Sequence, residues 1–220
     1  MSGAGKREEP RLRPPPGRRA PDAPALRSRD LDALQEVASI GCGQALTALS
    51  SLLGRRLEMD VPEAWVEPSA GAVAEFLGSL GEDLVAVGVA LEGLLCGHLI
   101  LALPGRDAER LAAALGYPVP ADGAWGPLAE SAVLESGNIV GSAFVSAIAR
   151  LVNGKLLLSV PTLVRGGGRE CLDRLVDREE GRVALATRFL ALGDEVLEGL
   201  ILVMPAPATL LPLLASLDFA

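Results

Sequence analysis

Apolar residues recur every three to four positions through two long stretches, Leu31 to Gly54 and Glu130 to Asn153, and crowd into several shorter runs elsewhere. The first pattern predicts two long amphipathic helices and the second predicts strands. Each helix runs to a helix-stopping Gly or Asn-Gly, and a short alternating run ending at proline follows. The two stretches are copies: Leu31–Pro62 aligns without gaps on Glu130–Pro161, and eight of the 32 positions are identical, among them Glu36 with Glu135, Ile40 with Ile139, and Val61-Pro62 with Val160-Pro161. Downstream, Val85–Ala90 and Gly97–Pro104 correspond to Val183–Phe189 and Gly199–Pro205, and a short helix is expected after each, at Asp107–Leu115 and Ala208–Leu217.

The pattern predicts an α+β architecture made of two helix, strand, hairpin, helix units about a pseudo-two-fold axis. Neither unit looks able to bury its strands alone, so the two long helices are expected on a shared, mainly antiparallel sheet within one domain, residues 29–220. The repeats span about 31–118 and 128–217. Residues 1–28, with prolines at 10, 14, 15, 16, 21 and 24 among charges, read as a disordered tail. The longest apolar stretch, Leu84 to Leu103, is broken by Glu92, His98 and glycines, and reads as two strands joined at Glu92-Gly93 rather than as a membrane span.

Composition narrows the function classes. The net charge is -8; residues 1–30 hold eight Lys or Arg against four Asp or Glu, a local +4, which leaves -12 on residues 31–220. With 3% aromatics, such a body offers little for phosphate neutralisation or base stacking, so nucleic acid is not an expected partner. Cys42, Cys96 and Cys171 form no CxxC pair, which fits buried thiols in a reducing compartment. The first residues lack the apolar run of a signal peptide, and a cytoplasmic location without membrane insertion is expected.

Ser131, Glu135, Asn138 and Ser142 are spaced i, i+4, i+7, i+11 and fall on one helix stripe, with Val133, Val140, Phe144 and Leu151 expected opposite, toward the core. Ile139 lies beside the stripe, either lining a partner contact or edging the core. The first copy places Asp32, Glu36 and Ser39 at identical spacing. Other chemistry is poorly supplied. His98 is the only histidine and reads as a core or edge residue, not as part of a triad or metal site. Gly166-Gly167-Gly168 reads as a flexible turn, without the lysine or following helix of a phosphate loop. Cys42 has no nearby His to activate it, and Trp65 and Trp125 read as packing residues.

The pattern Ser/Asp-xxx-Glu-xx-Asn followed by a proline 23 residues after the Asn, duplicated in one chain, resembles the CheC/CheX/FliY family of response-regulator phosphatases. The matching residues are Ser131, Glu135, Asn138 and Pro161 in the second copy and Asp32, Glu36, Ser39 and Pro62 in the first; the run SGNIVGSAF is similar to the family as well. The resemblance implies hydrolysis of the aspartyl phosphate of phosphorylated CheY. Asn138 would orient the attacking water and Glu135 would contact the regulator's active-site lysine. It implies no cofactor on this chain, Mg2+ on the regulator, and the deamidase CheD as a possible further partner. Ser39 stands where the family has Asn, and Gln44 where a second Asn is usual, so the first site is expected to be degenerate. A chain ending soon after the last helix resembles a CheC more than a FliY.

The rival reading is a weakly catalytic or non-catalytic adaptor on CheY-P or CheD. An enzyme acting on a small molecule has no nucleotide, metal or nucleophile motif behind it. Deletion of residues 1–28 is expected to leave the thermal midpoint within a few degrees of the full chain, and calorimetry at matched buffer checks it.

Overall fold

The computed structural model describes residues 27–66, 68–120, 123–176, 183–191 and 196–217, the side chain of Ser28 excepted. Most of the predicted tail lies outside them. Its last two residues do not: helix α1 spans Ser28–Leu53 with Arg27 as N-cap, and the Asp30 carboxylate accepts from the Arg27 backbone N–H at 2.8 Å and from its Nε at 3.1 Å. Those bonds hold the Asp30 carboxyl below its ordinary range, the backbone one most.

Helix α1 ends at Gly54, whose φ of 61° supplies the left-handed turn. At the matching point of the second copy Asn153 takes a φ of 47° after helix α4, Pro127–Leu151. Strand β1 (Leu57–Met59) follows the first helix and β5 (Leu156–Leu158) the second. Past each proline the chain continues as a strand that the alternation did not reveal, β2 (Glu63–Val66) and β6 (Thr162–Gly166). The hairpins are β3 (Leu84–Gly93) with β4 (Gly97–Pro104) and β7 (Val183–Ala191) with β8 (Leu197–Pro205); helices α3 (Gly105–Ala114) and α6 (Pro207–Ser216) follow them.

The two repeats close one sheet by exchanging strands. Its order is β1-β7-β8-β4-β3-β5, with β2 also on β7 and β6 also on β3, and every one of these pairings is antiparallel. Thus β1 and β2 of the first copy lie on the second copy's hairpin, while β5 and β6 of the second lie on the first copy's hairpin. The pseudo-two-fold passes through the β4–β8 ladder at the pair Ile100–Leu202, whose two residues are copies of one another. The expected fold class is observed.

A second helical layer was not foreseen. Helices α2 (Ala70–Gly78) and α5 (Gly168–Leu175) cover the sheet face opposite α1 and α4. This explains why the central strands read as unbroken apolar runs: Val85, Val87, Leu99, Leu101 and Ile201 face α1 and α4, whereas Leu84, Ala86, Ile100, Ala102 and Leu202 face α2 and α5. The triple glycine is correspondingly a strand-to-helix junction and not a flexible turn, with Gly167 as the N-cap of α5. A Cβ on Gly168 would run into the Ala74 carbonyl and the backbone of Gly78, so glycine there lets α5 meet α2 backbone to backbone. Asp107, buried at the start of α3, accepts from Arg110 at 2.8 Å and from the Glu198 backbone N–H at 3.2 Å, which ties that helix to β8.

Gly168→Ala is expected to force those backbones apart at an overpacking cost of about 1–3 kcal/mol. For a domain of this size that is roughly a 3–10 °C fall in thermal midpoint, measurable by calorimetry. An unchanged midpoint would show that the junction is looser than described.

Candidate functional site

Helices α1 and α4 lie side by side on the sheet, and their contact is shaped by size complementarity. A Cβ on Gly41 would occupy the space of the Phe144 ring and come 3.1 Å from Ile148. On its sheet side α4 is thinned in the same way: a Cβ on Gly137 would collide with Val87, and one on Gly141 would lie 3.1 Å from Val89 and 3.2 Å from Leu158. At about 100° per residue Gly137 and Gly141 point nearly opposite to Glu135. Pressing the glycine face onto β3 therefore turns Glu135 outward.

The stripe is presented as expected. Ser131, Glu135 and Ser142 are exposed and Asn138 is half-exposed, while Val133, Val140 and Phe144 are buried. Leu151 is the exception: it is the last residue of α4 and is exposed. Ile139 is half-exposed and belongs to neither buried cluster, so it does not edge the core. The Asn138 amide nitrogen stands 3.5 Å from a Glu135 carboxylate oxygen, at the long limit of a hydrogen bond. So weak a mutual contact lets both groups turn to an incoming partner.

Pro161 lies in the β5–β6 connection. That connection is pinned to β3: the Ser159 N–H donates to the Ala90 carbonyl at 3.0 Å, and the Ser159 hydroxyl accepts from the Ala90 N–H at 2.8 Å. Leu158 reaches the Gly141 turn and Leu163 pairs with Val87, which lies under Gly137, so residues 159–161 run level with the turn that carries Asn138. In the first copy the corresponding proximity is a direct contact, with Gln35 Nε2 donating to the Pro62 carbonyl at 3.5 Å.

The first stripe has a different setting. Asp32 and Glu36 are exposed and Ser39 is half-exposed. Asp32 and Glu36 line an open cleft with Arg27, Arg29 and Asp30, walled on the far side by Leu211, Leu214 and Leu217 of α6 and its end. Nothing in the periodicity pointed to this cleft, because α6 and α1 lie at opposite ends of the sequence.

The other candidates are structural. His98 sits half-buried on β4; Trp65 is buried edge-on to Phe76, with ring centroids 4.5 Å apart, and Trp125 packs beneath the Arg165 guanidinium at 4.9 Å. Burial pushes the Cys42 thiol up to about 12 and the Cys171 thiol to about 11, which leaves both as unreactive thiols. Among the described residues no group of three or more His, Cys, Asp or Glu could hold a metal ion. Helix α4 is long and apolar enough to cross a membrane by composition, but 56% of its most apolar window is buried inside the fold.

A duplicated α/β/α sandwich with two outward-facing acidic helix stripes defines the class. Comparison with known proteins shows what the chain is similar to. A model described as the CheC-like family matches residues 30–65, which cover nearly all of α1 and reach into β2 as far as Trp65. The protein named CheY-P phosphatase CheC in Bacillus subtilis (strain 168) is 30% identical over 139 residues, 62% of this chain and 66% of that protein. Among solved structures, Thermotoga maritima FliY superposes with a TM-score of 0.64 at 16% identity, covering 87% of this chain and 97% of that one. A chain from the Borrelia burgdorferi CheX–CheY–BeF3–Mg2+ complex superposes with a TM-score of 0.50 at 19% identity, covering 79% and 98%. The chain is similar to the CheC-like family in sequence and shares the fold of FliY and CheX.

The burial of the two raised thiols generates a simple check. Cys42 and Cys171 are expected to resist an alkylating reagent at neutral pH in the native protein and to react at once in denaturant, as mass spectrometry of the labelled peptides would show. Rapid native labelling of Cys42 would mean that the α1–sheet contact opens readily.

Proposed function

We propose that this protein hydrolyses the aspartyl phosphate of a phosphorylated CheY-like response regulator in the cytoplasm, and that the second stripe carries the reaction. The observation that carries the reading is the Glu135–Asn138 pair, held outward on a rigid helix in a chain whose Bacillus relative is named a CheY-P phosphatase. The matched stretch spans just under two thirds of that relative.

An acyl phosphate is already activated, so hydrolysis needs a water in line with the phosphorus–carboxylate bond more than it needs a strong base. The Asn138 amide offers a donor and an acceptor to hold that water. Water oxygen bonds to phosphorus, the bond to the regulator's aspartate breaks, the carboxylate leaves with the electron pair, and the water proton passes to the released phosphate or to solvent. Glu135 makes a charge-assisted contact with the regulator's active-site lysine and so docks the helix. The regulator brings its own Mg2+, and this chain supplies position. At the first site Ser39 has one short hydroxyl where the second has an amide, so the first stripe orients water poorly.

The decay of phosphorylated CheY, followed with and without the protein, tests the assignment. Asn138→Ala is expected to slow dephosphorylation about 10²-fold or more. Glu135→Ala is expected to raise the regulator concentration needed for half-maximal rate, and Ser39→Ala to change little. Slower decay in Ser39→Ala with an unaffected Asn138→Ala would reverse the site assignment. If the wild-type protein leaves decay unchanged, the reading gives way to an adaptor that binds CheY-P or CheD.

A further inference from the structure

The second stripe does not begin at Ser131. Leu128 lies seven residues before Glu135, hence two turns back on nearly the same line of α4, and it is 66% exposed. A leucine this open in the first turn of a helix adds nothing to the core.

A second open apolar residue flanks the same stripe. Val160 is 85% exposed, yet its backbone is fixed by the two Ser159–Ala90 hydrogen bonds and by the neighbouring Pro161. Its copy, Val61, is 80% exposed, and there Asp60 is bound to β7 through its N–H to the Arg188 carbonyl at 3.0 Å and its carbonyl to the Thr187 hydroxyl at 2.7 Å. Both copies thus hold a stiff β-branched side chain in water on an anchored connection. Half-exposed Ile139, the copy of Ile40, directly follows Asn138 on α4.

The repeat supplies an internal comparison. Shifting by the 99-residue offset that aligns Glu36 with Glu135 maps Leu128 onto Arg29, whose side chain is 71% exposed and stands 3.7 Å from Asp30. The second stripe is therefore flanked by Leu128, Ile139 and Val160, and the first by Arg29, Ile40 and Val61. At the position of Leu128 the first stripe thus carries a charge, beside a cleft that is charged at Arg27, Asp30 and Asp32 and apolar on its far wall.

We infer that Leu128 and Val160 are docking residues that seat the second stripe on an apolar border around the phosphorylation pocket of the response regulator. The inference rests on the proposed reaction and adds to it which side chains confer affinity. They surround the Glu135–Asn138 pair, exclude water from it once covered, and touch none of the reacting atoms, in the manner of an apolar ring about a polar centre. Arg29 denies the first stripe the same seat. The two sites thus differ in what they bind as well as in the Asn-to-Ser change.

The test is Leu128→Gln with Val160→Thr in the full chain. Both positions are exposed, glutamine keeps helix propensity close to that of leucine, and threonine keeps the valine shape, so folding should be unaffected. The expected result is a KM for phosphorylated CheY about tenfold higher with kcat within twofold, and each single variant in between. An unchanged KM while the wild-type protein accelerates decay overturns the inference and leaves the proposed reaction standing. A fall in kcat at constant KM also overturns it, since the residues would then act on the chemistry. Binding of regulator loaded with beryllofluoride and Mg2+ to Asn138→Ala protein reads docking without turnover. There the double change should weaken binding by a similar factor, and equal binding would again overturn the inference. Should wild type neither accelerate decay nor bind the loaded regulator, both readings fall together.

Discussion

The contact between α4 and strand β3 is the constraint on which the site depends. Gly137 and Gly141 remove the side chains that would otherwise separate helix from sheet, and Val87 and Val89 fill the space. With that face committed, the opposite face cannot turn inward. Glu135 and Asn138 are thereby fixed in direction without forming a strong bond to anything, including each other. A catalyst that works by placing a water needs this combination, because its rigidity must come from the backbone and its polar groups must stay free for the partner.

The strand exchange extends the same constraint to the whole molecule. Each motif helix is tethered through its following strands to the other copy's hairpin, so α1 and α4 cannot separate without breaking the β1–β7 and β3–β5 ladders. The β4–β8 ladder at the centre holds the two hairpins in register, and burial on both faces stabilises it through apolar contact with two helical layers. Two stripes on one rigid face follow from this topology. A side-chain difference on one stripe leaves the geometry of the other untouched, so serine at position 39 and asparagine at position 138 fit the same fold.

Much of this was legible in the residues, and the parts that were not have physical causes. The repeat and its 3.6-residue periodicity marked both long helices and the polar stripe, since one face of each had to be apolar. Which hairpin receives which strand was not legible, because a repeat states that two units are alike and says nothing of which one closes the other. Helices α2 and α5 are hard to read because they are short, and because glycines at 71, 78 and 166–168 look like loop signals although Gly168 serves close backbone contact between the two helices. The unbroken apolar runs of β3, β4 and β8 were the overlooked sign that both faces of the sheet are covered. Leu128 was missed for a different reason: the stripe was traced through its polar members, and an apolar residue on a solvent face stands out only when its exposure is known.

The asymmetry between the stripes bears on how such a duplicated protein divides its work. If the sites differed only at Asn138 and Ser39, both would compete for the same regulator, and every engagement of the first would be unproductive. Arg29 in place of Leu128 changes that. An arginine beside Asp30, opening onto the cleft of Asp32, Glu36 and α6, offers charge where the other stripe offers an apolar margin, and an apolar border on the partner would desolvate that charge. A mismatch of this kind discriminates between surfaces more sharply than the loss of one apolar contact does. On the proposed reading the first stripe is withdrawn from the regulator by what surrounds it, and the second helix meets its substrate without competition from its own copy.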